Sequence, residues 1–250
     1  MAELTEGPHD VEVERITLRG PDDVAVAAIH ARPEGLPVAG IALHPDILGL
    51  RPLFDDLCRR LATHGFAVCA PEPFTRAAPD VRAAADPPVR MAAFGGMDDD
   101  LQLGDLDAAA DYLVVHDDVT RVAVLGFCMG GMQALKAAAG DRFDRAVSFY
   151  GMIVPPPPMQ GPRLRRPLDR AADVVPTLAI LGGVDPLVPP ADVEALRTAW
   201  AGRPDCRIVT YPEADHGFVH DPARPTHRAD DAADAWTRVL GFLTAPIPGA

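Results

Sequence analysis

The sequence predicts an α/β protein, a three-layer α/β/α sandwich with a mostly parallel sheet of about eight strands. Short apolar segments typical of strands alternate with segments of helical period along most of the chain. Some apolar segments, such as residues 38–43, are nearly continuous, which indicates strands that are buried on both faces. Helices between such strands would provide the crossovers that parallel strands require and would cover both faces of the sheet.

The first two strands are expected to form an antiparallel pair at one edge of the sheet. Residues 11–18 alternate apolar and polar side chains, and an apolar-rich segment at 24–30 follows a turn sequence at 20–23. Residues 1–10 are acidic and poor in apolar side chains. We expect them to form a flexible tail.

The later elements continue the alternation of strands and helices. Apolar residues recur at helical spacing in several segments, and Gly65 supplies a stop signal for the first of them. The predicted strands are 38–43, 66–70, 122–125, 145–150, 176–181 and 206–211, and the predicted helices are 50–61, 98–115, 132–137, 191–201 and 229–243. The apolar stripe expected to face the core from the last helix consists of Ala233, Trp236, Val239, Leu240 and Leu243.

Two long segments lack a regular pattern. Residues 71–97 are rich in Pro, Ala and Arg, with a short helix predicted near 81–85, and such long segments often have functional roles. Residues 151–174 contain four consecutive prolines, which cannot join a sheet ladder, so we expect a stiff surface loop there. No internal repeat or linker is visible, and residues 1–250 are predicted to form a single domain.

Composition excludes several classes of function. The net charge of -13 argues against nucleic-acid partners and against anionic membrane surfaces. No apolar window reaches the length of a membrane span, and the first residues lack a secretory signal pattern, so we expect a cytoplasmic protein. The cysteines are scattered without zinc-site spacing, which predicts reduced thiols and no metal. They are Cys58, Cys69, Cys128 and Cys206.

The motif with the clearest chemical meaning is the segment Gly126-Phe127-Cys128-Met129-Gly130-Gly131. It lies between a predicted strand and a predicted helix, so it forms a sharp turn with a thiol at its apex. Glycines on both sides allow the backbone to pack closely around the turn. The positive end of the helix that follows favours the thiolate form of a cysteine. Cys128 is therefore predicted to be a catalytic nucleophile, whereas the other three cysteines are expected in the core.

Two further polar residues follow later strands. Asp185 comes after the strand at 176–181, and His216 comes after the strand at 206–211. Because ligands of such sheets bind at the carboxyl ends of the strands, these residues are expected near Cys128. The chain order is then nucleophile, acid, base, as in α/β-hydrolases. Asp215 competes with Asp185 for the role of orienting the imidazole.

These residues would suit attack on a carbonyl carbon. Cys128 would attack, His216 would take up and return a proton, and the acid would fix the imidazole tautomer. The developing oxyanion needs hydrogen-bond donors, which the backbone N–H groups of Met129 and Ile47 are expected to supply.

The chain resembles the dienelactone hydrolase family of α/β-hydrolases over nearly its whole length. The matching segments are 45–49, 126–131, 182–185 and 216–218. The resemblance implies the α/β-hydrolase fold, opening of a lactone or small ester through a Cys-His-Asp triad and a covalent thioester, and no metal or cofactor. It also implies an acidic residue that contacts the resting thiol. Asp46 matches that position, where the family has Glu.

The resemblance implies arginines that hold a substrate carboxylate, one of them shortly after the catalytic histidine. That place holds His220 here, with no arginine before Arg224. Arg90 in the irregular segment is a candidate for the other arginine, and Tyr150 and His220 are further candidate substrate contacts. For Tyr150, core packing is an equal alternative.

Two alternative functions stay open at this point. The same scaffold could transfer an acyl group to an acceptor other than water, or it could bind a ligand without catalysis. The expected partner is a small ester or lactone, and the protein is predicted to be a monomer or a small homo-oligomer.

Overall fold

Residues 4–246 are described in a computed structural model of the protein, and within them a single mixed sheet is flanked by helices. The strands are β1 (Val11–Arg19), β2 (Ala25–Pro33), β3 (Ala39–His44), β4 (Phe66–Pro71), β5 (Val122–Phe127), β6 (Arg145–Phe149), β7 (Thr177–Gly182) and β8 (Cys206–Tyr211). The helices are α1 (Pro52–Thr63), α2 (Pro79–Ala83), α3 (Pro87–Ala93), α4 (Asp99–His116), α5 (Met129–Ala137), α6 (Pro190–Ala199) and α7 (Ala229–Thr244). Short 3₁₀ turns occur at Phe94–Gly96, Pro157–Met159 and Pro167–Arg170.

The sheet has the predicted mostly parallel character. Its eight strands lie in the order β1-β2-β4-β3-β5-β6-β7-β8 within the described residues. The β1–β2 and β2–β4 pairs are antiparallel, and all the pairs from β4 onward are parallel. The antiparallel edge pair predicted from the sequence is thus confirmed. The register aligns the last residues of neighbouring strands, with His44 opposite Gly126 and Phe127 opposite Phe149, so the loops that follow meet at one edge.

Two hydrophobic cores lie on opposite faces of the sheet. Side chains alternate along each strand, so that Leu125 of β5 packs on one face with α1 and α7. Val124 packs on the other face with α4, α5 and α6. The three-layer sandwich predicted from the sequence is therefore confirmed.

The helix bounds follow from local signals. Pro52 opens α1 at the first helical position, and Gly65, with φ of 92°, lies just beyond its end. The Asp98 side chain caps α4 by accepting a hydrogen bond of 3.0 Å from the Asp100 N–H.

The apolar stripe of α7 differs in part from the prediction. Trp236, Val239 and Leu243 are buried as expected, but Ala233 is exposed and Phe242 is buried instead. The segment 232–235 contains several alanines, and their weak hydrophobicity does not fix the orientation of the first helical turns.

The predicted tail is attached to α1 over residues 4–10. Leu4 is buried in the core, and its carbonyl oxygen accepts a hydrogen bond of 2.8 Å from Arg60. The N–H groups of Gly7 and His9 bond to the hydroxyl and carbonyl oxygens of Thr63, at 2.7 and 3.1 Å. Residues 1–3 lie outside the described part of the chain.

The two irregular segments contain more structure than predicted. Residues 71–97 form α2 close to the predicted short helix, and they also form α3, which the sequence pattern did not indicate. The proline-rich segment is not wholly at the surface, because Ile153 and Met159 are buried. None of the helices within residues 4–246 is both long and apolar enough to cross a bilayer.

Candidate active site

Cys128 lies at a strained turn between β5 and α5. Its φ of 57° and ψ of -115° fall outside the usual regions for a residue with a side chain. Such a backbone conformation costs about 1–3 kcal/mol and persists only where the surroundings enforce it. Here the Cys128 N–H donates to the Phe149 carbonyl oxygen at 3.0 Å, and the Cys128 carbonyl accepts from the Met132 N–H at 3.0 Å. These bonds hold the thiol at the carboxyl edge of the sheet.

The flanking glycines allow this turn to form. A Cβ atom on Gly126 would overlap the carbonyl oxygen of Gly130. A Cβ atom on Gly130 would overlap the carbonyl oxygen of His44 at the end of β3. The first turn of α5 can therefore pack directly against β3 and β5, which positions Cys128 above both strands.

His216 and Asp185 meet at the same edge. His216 follows β8, and its Nδ1 lies 2.8 Å from Oδ2 of Asp185, which follows β7. The other oxygen of Asp185 accepts from the Leu187 N–H at 2.8 Å, and the Asp185 side chain is fully buried. Asp215, the alternative acid, instead accepts from the backbone N–H of His216 at 2.6 Å. Of the two acids, Asp185 is therefore the one that is hydrogen-bonded to the imidazole ring.

The charge of His216 is set by its two neighbours. Burial opposes the charged imidazolium, but the Cys128 sulfur and the hydrogen bond with Asp185 outweigh it and raise the pKa of His216 to about 10. Within the described residues, Nε2 of His216 makes no hydrogen bond of ordinary geometry, although the sulfur is near enough to act on the ring. The arrangement therefore favours the imidazolium form of His216 beside the Cys128 sulfur.

Two backbone amides are available to an oxyanion. Met129 is the first residue of α5, where an N–H has no partner inside the helix. Ile47 lies in the loop after β3 and lines the same cleft as Cys128. Among residues 4–246, neither amide donates a hydrogen bond to another backbone or side-chain group. Such donors can stabilise negative charge that develops on a carbonyl oxygen.

A small cleft lies over the thiol. Its volume is about 340 Å³, which suits a small organic molecule. Cys128 and His216 both line it, and about half of the lining residues are apolar. The apolar wall residues are Ile47, Leu48, Pro87, Met91 and Leu187. Since Pro87 and Met91 belong to α3, the irregular segment 71–97 forms part of the binding surface.

Two arginines reach this cleft, and neither was predicted to contact substrate. Arg51 is paired with Asp46 through two bonds, of 2.6 and 2.7 Å. Arg224 has no ion pair among the described residues, and its guanidinium packs against the backbone at Gly217, whose φ is 76°. Spacing from His216 could have suggested Arg224. The contact of Arg51 with the cleft has no sequence signal.

Arg90 does not reach the cleft, which corrects the prediction that it contacts substrate. It is buried, and it donates to the carbonyl oxygens of Arg82 and Ala84 at 2.7 and 2.9 Å. Its guanidinium lies 4.7 Å from the centre of the Phe74 ring and 3.7 Å from a carboxylate oxygen of Glu72. Arg90 therefore holds α2 and α3 together. Its side chain is absent from the lining of the cleft.

Tyr150 and His220 lie beneath the cleft and not in its wall. Both are fully buried, and the Tyr150 hydroxyl is hydrogen-bonded to Nδ1 of His220. Neither can touch a substrate in this arrangement, so the prediction of direct contacts is wrong for both. Nε2 of His220 lies 2.8 Å from Oδ2 of Asp46.

The hydrogen-bond partners of Asp46 do not include the thiol of Cys128. Its carboxylate accepts hydrogen bonds from Arg51, His220 and the N–H of Leu48, the last at 2.9 Å. Burial would raise the pKa of Asp46, but the hydrogen bonds from His220 and Arg51 hold it well below its usual value. Asp46 and Cys128 line the same cleft, but no hydrogen bond joins them among residues 4–246, so the predicted thiol contact stays a prediction.

No cluster of three or more His, Cys, Asp or Glu side chains able to hold a metal ion occurs in the described residues.

Comparisons with known proteins agree on the family. The model of the dienelactone hydrolase family matches residues 26–246 of the chain. A protein of Escherichia coli (strain K12) named "Putative carboxymethylenebutenolidase" is 33% identical over 247 residues, which cover 96% of this chain and 90% of that protein. The carboxymethylenebutenolidase of Pseudomonas putida is 28% identical over 243 residues, with 94% and 97% of the two chains covered.

Among solved structures, the "Putative Dienelactone Hydrolase" of Klebsiella pneumoniae subsp. pneumoniae MGH 78578 superimposes with a TM-score of 0.84 at 30% identity. The match covers 94% of this chain and 100% of that structure. The chain has the α/β-hydrolase fold and belongs to the dienelactone hydrolase family of hydrolases.

Proposed function

We propose that this protein opens a lactone or small carboxylic ester through a covalent thioester on Cys128. The observation that carries the proposal is the convergence of a thiol at a strained turn with an imidazole that Asp185 holds at 2.8 Å, both in one cleft. Relatives named carboxymethylenebutenolidase support a lactone as the substrate class. The cleft volume of about 340 Å³ supports a small substrate.

The first half-reaction forms the thioester. The Cys128 thiolate attacks the carbonyl carbon, and the N–H groups of Ile47 and Met129 donate to the oxygen that becomes negative. As the tetrahedral intermediate collapses, the C–O bond of the ester or lactone breaks, and the His216 imidazolium protonates the departing oxygen. A lactone keeps this new hydroxyl on the same molecule as the acyl group.

The second half-reaction restores the thiol. Neutral His216 removes a proton from water, and the resulting hydroxide attacks the thioester carbon. Cleavage of the C–S bond releases the carboxylic acid product and returns the thiolate beside the imidazolium. Asp185 keeps Nδ1 of His216 protonated throughout, so that Nε2 is the atom that exchanges protons.

Turnover of p-nitrophenyl acetate and of a panel of lactones, compared with Cys128→Ala, tests the proposal. We expect the variant to lose thiol-dependent turnover, and the wild-type protein to release p-nitrophenol in a rapid first turnover while one acetyl group is bound per chain. Mass spectrometry of the quenched protein should locate that acetyl group on Cys128. Equal turnover in the variant would contradict the mechanism.

The two alternative functions give other outcomes. An acyltransferase would partition the acetyl group to an added alcohol or thiol at the expense of free acetate. A binding protein without catalysis would show no turnover with any ester or lactone although it remains folded.

A further inference from the structure

A buried chain of hydrogen bonds lies beneath the cleft and joins two loops of the candidate active site. It runs from the Tyr150 hydroxyl to Nδ1 of His220, and from Nε2 of His220 to the Asp46 carboxylate at 2.8 Å. Arg51 completes the chain with two bonds to the same carboxylate, of 2.6 and 2.7 Å. His220 is the central member, and the proposed reaction gives it no chemical step.

The surroundings of His220 leave it a single hydrogen-bonding state. Its ring is fully buried and stacks on Phe127 at 4.8 Å between centroids. Burial lowers the pKa of His220 and favours the neutral ring. The ionised Asp46 carboxylate can only accept a hydrogen bond, so Nε2 of His220 must donate, and Nδ1 must then accept from the Tyr150 hydroxyl.

On one side, this chain fixes the backbone around the proposed oxyanion donor. Asp46 directly precedes Ile47, and its carboxylate accepts from the N–H of Leu48 at 2.9 Å. The Asp46 carbonyl oxygen accepts from the N–H of Gly49 at 2.9 Å. Asp46 thus closes the turn that orients the Ile47 amide, and His220 holds Asp46 from below.

On the other side, the chain of hydrogen bonds holds the loop of the proposed base, His216. His220 lies four residues after His216, in the loop that follows β8. The Tyr150 ring also contacts the His216 ring edge-on, with 5.2 Å between centroids. The bond from His220 to Asp46 therefore joins the loop of the base to the loop of the oxyanion donor, which are 174 residues apart in sequence at the bonded positions.

We propose that His220 is a positioning residue that holds residues 212–220, the base loop, against residues 45–49, the oxyanion loop, through a hydrogen bond from Nε2 to Asp46. The proposal rests on the proposed function, because it assumes that His216 and the Ile47 amide act on one substrate. Misplacement of reacting groups by about 1 Å can reduce a rate roughly 100-fold. His220 therefore affects kcat more than substrate affinity.

Substitutions whose amide group replaces one or the other ring nitrogen of His220 separate this role from a role in core packing alone. The amide of His220→Gln can replace the Nε2 donor toward Asp46, whereas the shorter amide of His220→Asn replaces only the Nδ1 side. We expect His220→Asn and His220→Ala to lower kcat for p-nitrophenyl acetate roughly 10- to 100-fold with little change in KM. We expect His220→Gln to recover most of the loss, and Tyr150→Phe, which leaves the bond to Asp46 in place, to be mild.

His30→Gln is the matched control. His30 is also a buried histidine with a side-chain partner on each nitrogen, Glu14 at 3.0 Å and Asp117 at 2.9 Å, but it lies on β2 away from the cleft. Its substitution should lower the Tm and leave kcat unchanged. A lower Tm with an unchanged kcat in His220→Ala or His220→Asn would show that His220 contributes only to core packing, and would overturn the proposal. A kcat for Tyr150→Phe as low as that of His220→Asn would also overturn it, because the bond to Asp46 would then not be the one that matters.

A direct measurement does not depend on turnover. In protein with ¹⁵N-labelled histidine, two-bond ¹H–¹⁵N correlation spectra report which ring nitrogen carries the proton, and the spectrum of His220→Gln assigns the His220 signals. We expect a protonated Nε2 and an unprotonated Nδ1; the reverse tautomer would overturn the proposal. If Cys128→Ala keeps full activity, the proposed function fails, whereas a dead Cys128→Ala together with a fully active His220→Asn refutes only the positioning role.

Discussion

The substitution Asp185→Asn removes the negative charge beside the imidazole of His216 and keeps the shape of the side chain. The carboxylate is fully buried and lies 2.8 Å from Nδ1, so its charge acts on the ring without screening by bulk water. Although burial favours neutral His216, Cys128 and Asp185 raise its pKa to about 10. We expect the substitution to lower that pKa and to destabilise the imidazolium that protonates the leaving oxygen.

The size of the effect can be bounded from the chemistry. In a serine triad the same exchange of Asp for Asn costs about 10⁴ in kcat, largely because the amide holds the ring in the wrong tautomer. A thiol ionises more readily than a hydroxyl, so less of the rate depends on the base during attack. We therefore expect kcat/KM to fall about 10²- to 10⁴-fold, which corresponds to about 3–5.5 kcal/mol of transition-state stabilisation.

Asp215→Asn provides the control in the same loop. The amide oxygen of the variant can still accept from the N–H of His216, which Asp215 binds at 2.6 Å. Its kcat/KM for p-nitrophenyl acetate should stay within about fivefold of the wild-type value, since less than about 1 kcal/mol of transition-state stabilisation is expected to depend on such an exchange. A larger loss in Asp215→Asn than in Asp185→Asn would refute the assignment of the orienting acid.

Three further predictions concern the turn, the cleft and stability. Gly126→Ala should lower the free energy of unfolding in urea by about 1–3 kcal/mol or more, because its Cβ overlaps the Gly130 carbonyl oxygen; unchanged stability would contradict this. Arg224→Ala should raise KM about tenfold for anionic lactones but not for neutral esters, whereas Arg90→Ala should mainly lower the Tm; equal KM effects would argue against the distinction. Burial opposes protonation of His30, but Asp117 and Glu14 raise its pKa above 6.5. The stabilisation of the folded protein by charged His30 is therefore complete below about pH 6.5 and is lost as pH rises through the folded-state pKa. His30→Gln should therefore reduce the loss of unfolding free energy between about pH 6 and pH 9. The same dependence of unfolding free energy on pH in the variant and the wild type would contradict this prediction.

The sequence was most informative where its elements are regular. The carboxyl ends of parallel strands lie at one edge of the sheet. Once β5, β7 and β8 are identified as parallel strands, the residues that follow them are therefore expected to lie close together. This geometry explains why Cys128, Asp185 and His216 could be placed together from spacing alone. Their catalytic roles remain a proposal.

Side-chain direction in irregular segments could not be predicted in the same way. Arg90 is on α3, whose Pro87 and Met91 line the cleft, yet its own side chain turns toward the carbonyl oxygens of α2. No periodic pattern indicates which face of so short a helix is turned inward. Residues 4–10 are likewise anchored in the core by a single apolar side chain, Leu4, and one residue produces no periodic pattern in the sequence.

The position of His220 gives the cleft a different charge balance from the one that the family resemblance suggested. An arginine at this place would have added a positive charge beneath the substrate. Instead, the neutral His220, the buried Asp46 and the partly exposed Arg51 form a hydrogen-bonded group whose charges cancel. The hydrogen bonds of Asp46 go to Arg51, His220 and the N–H of Leu48, whereas Cys128 has the His216 ring as its neighbour. Arg224 is then the arginine of the cleft with no ion pair among the described residues, so we expect an anionic substrate to be held mainly by its guanidinium.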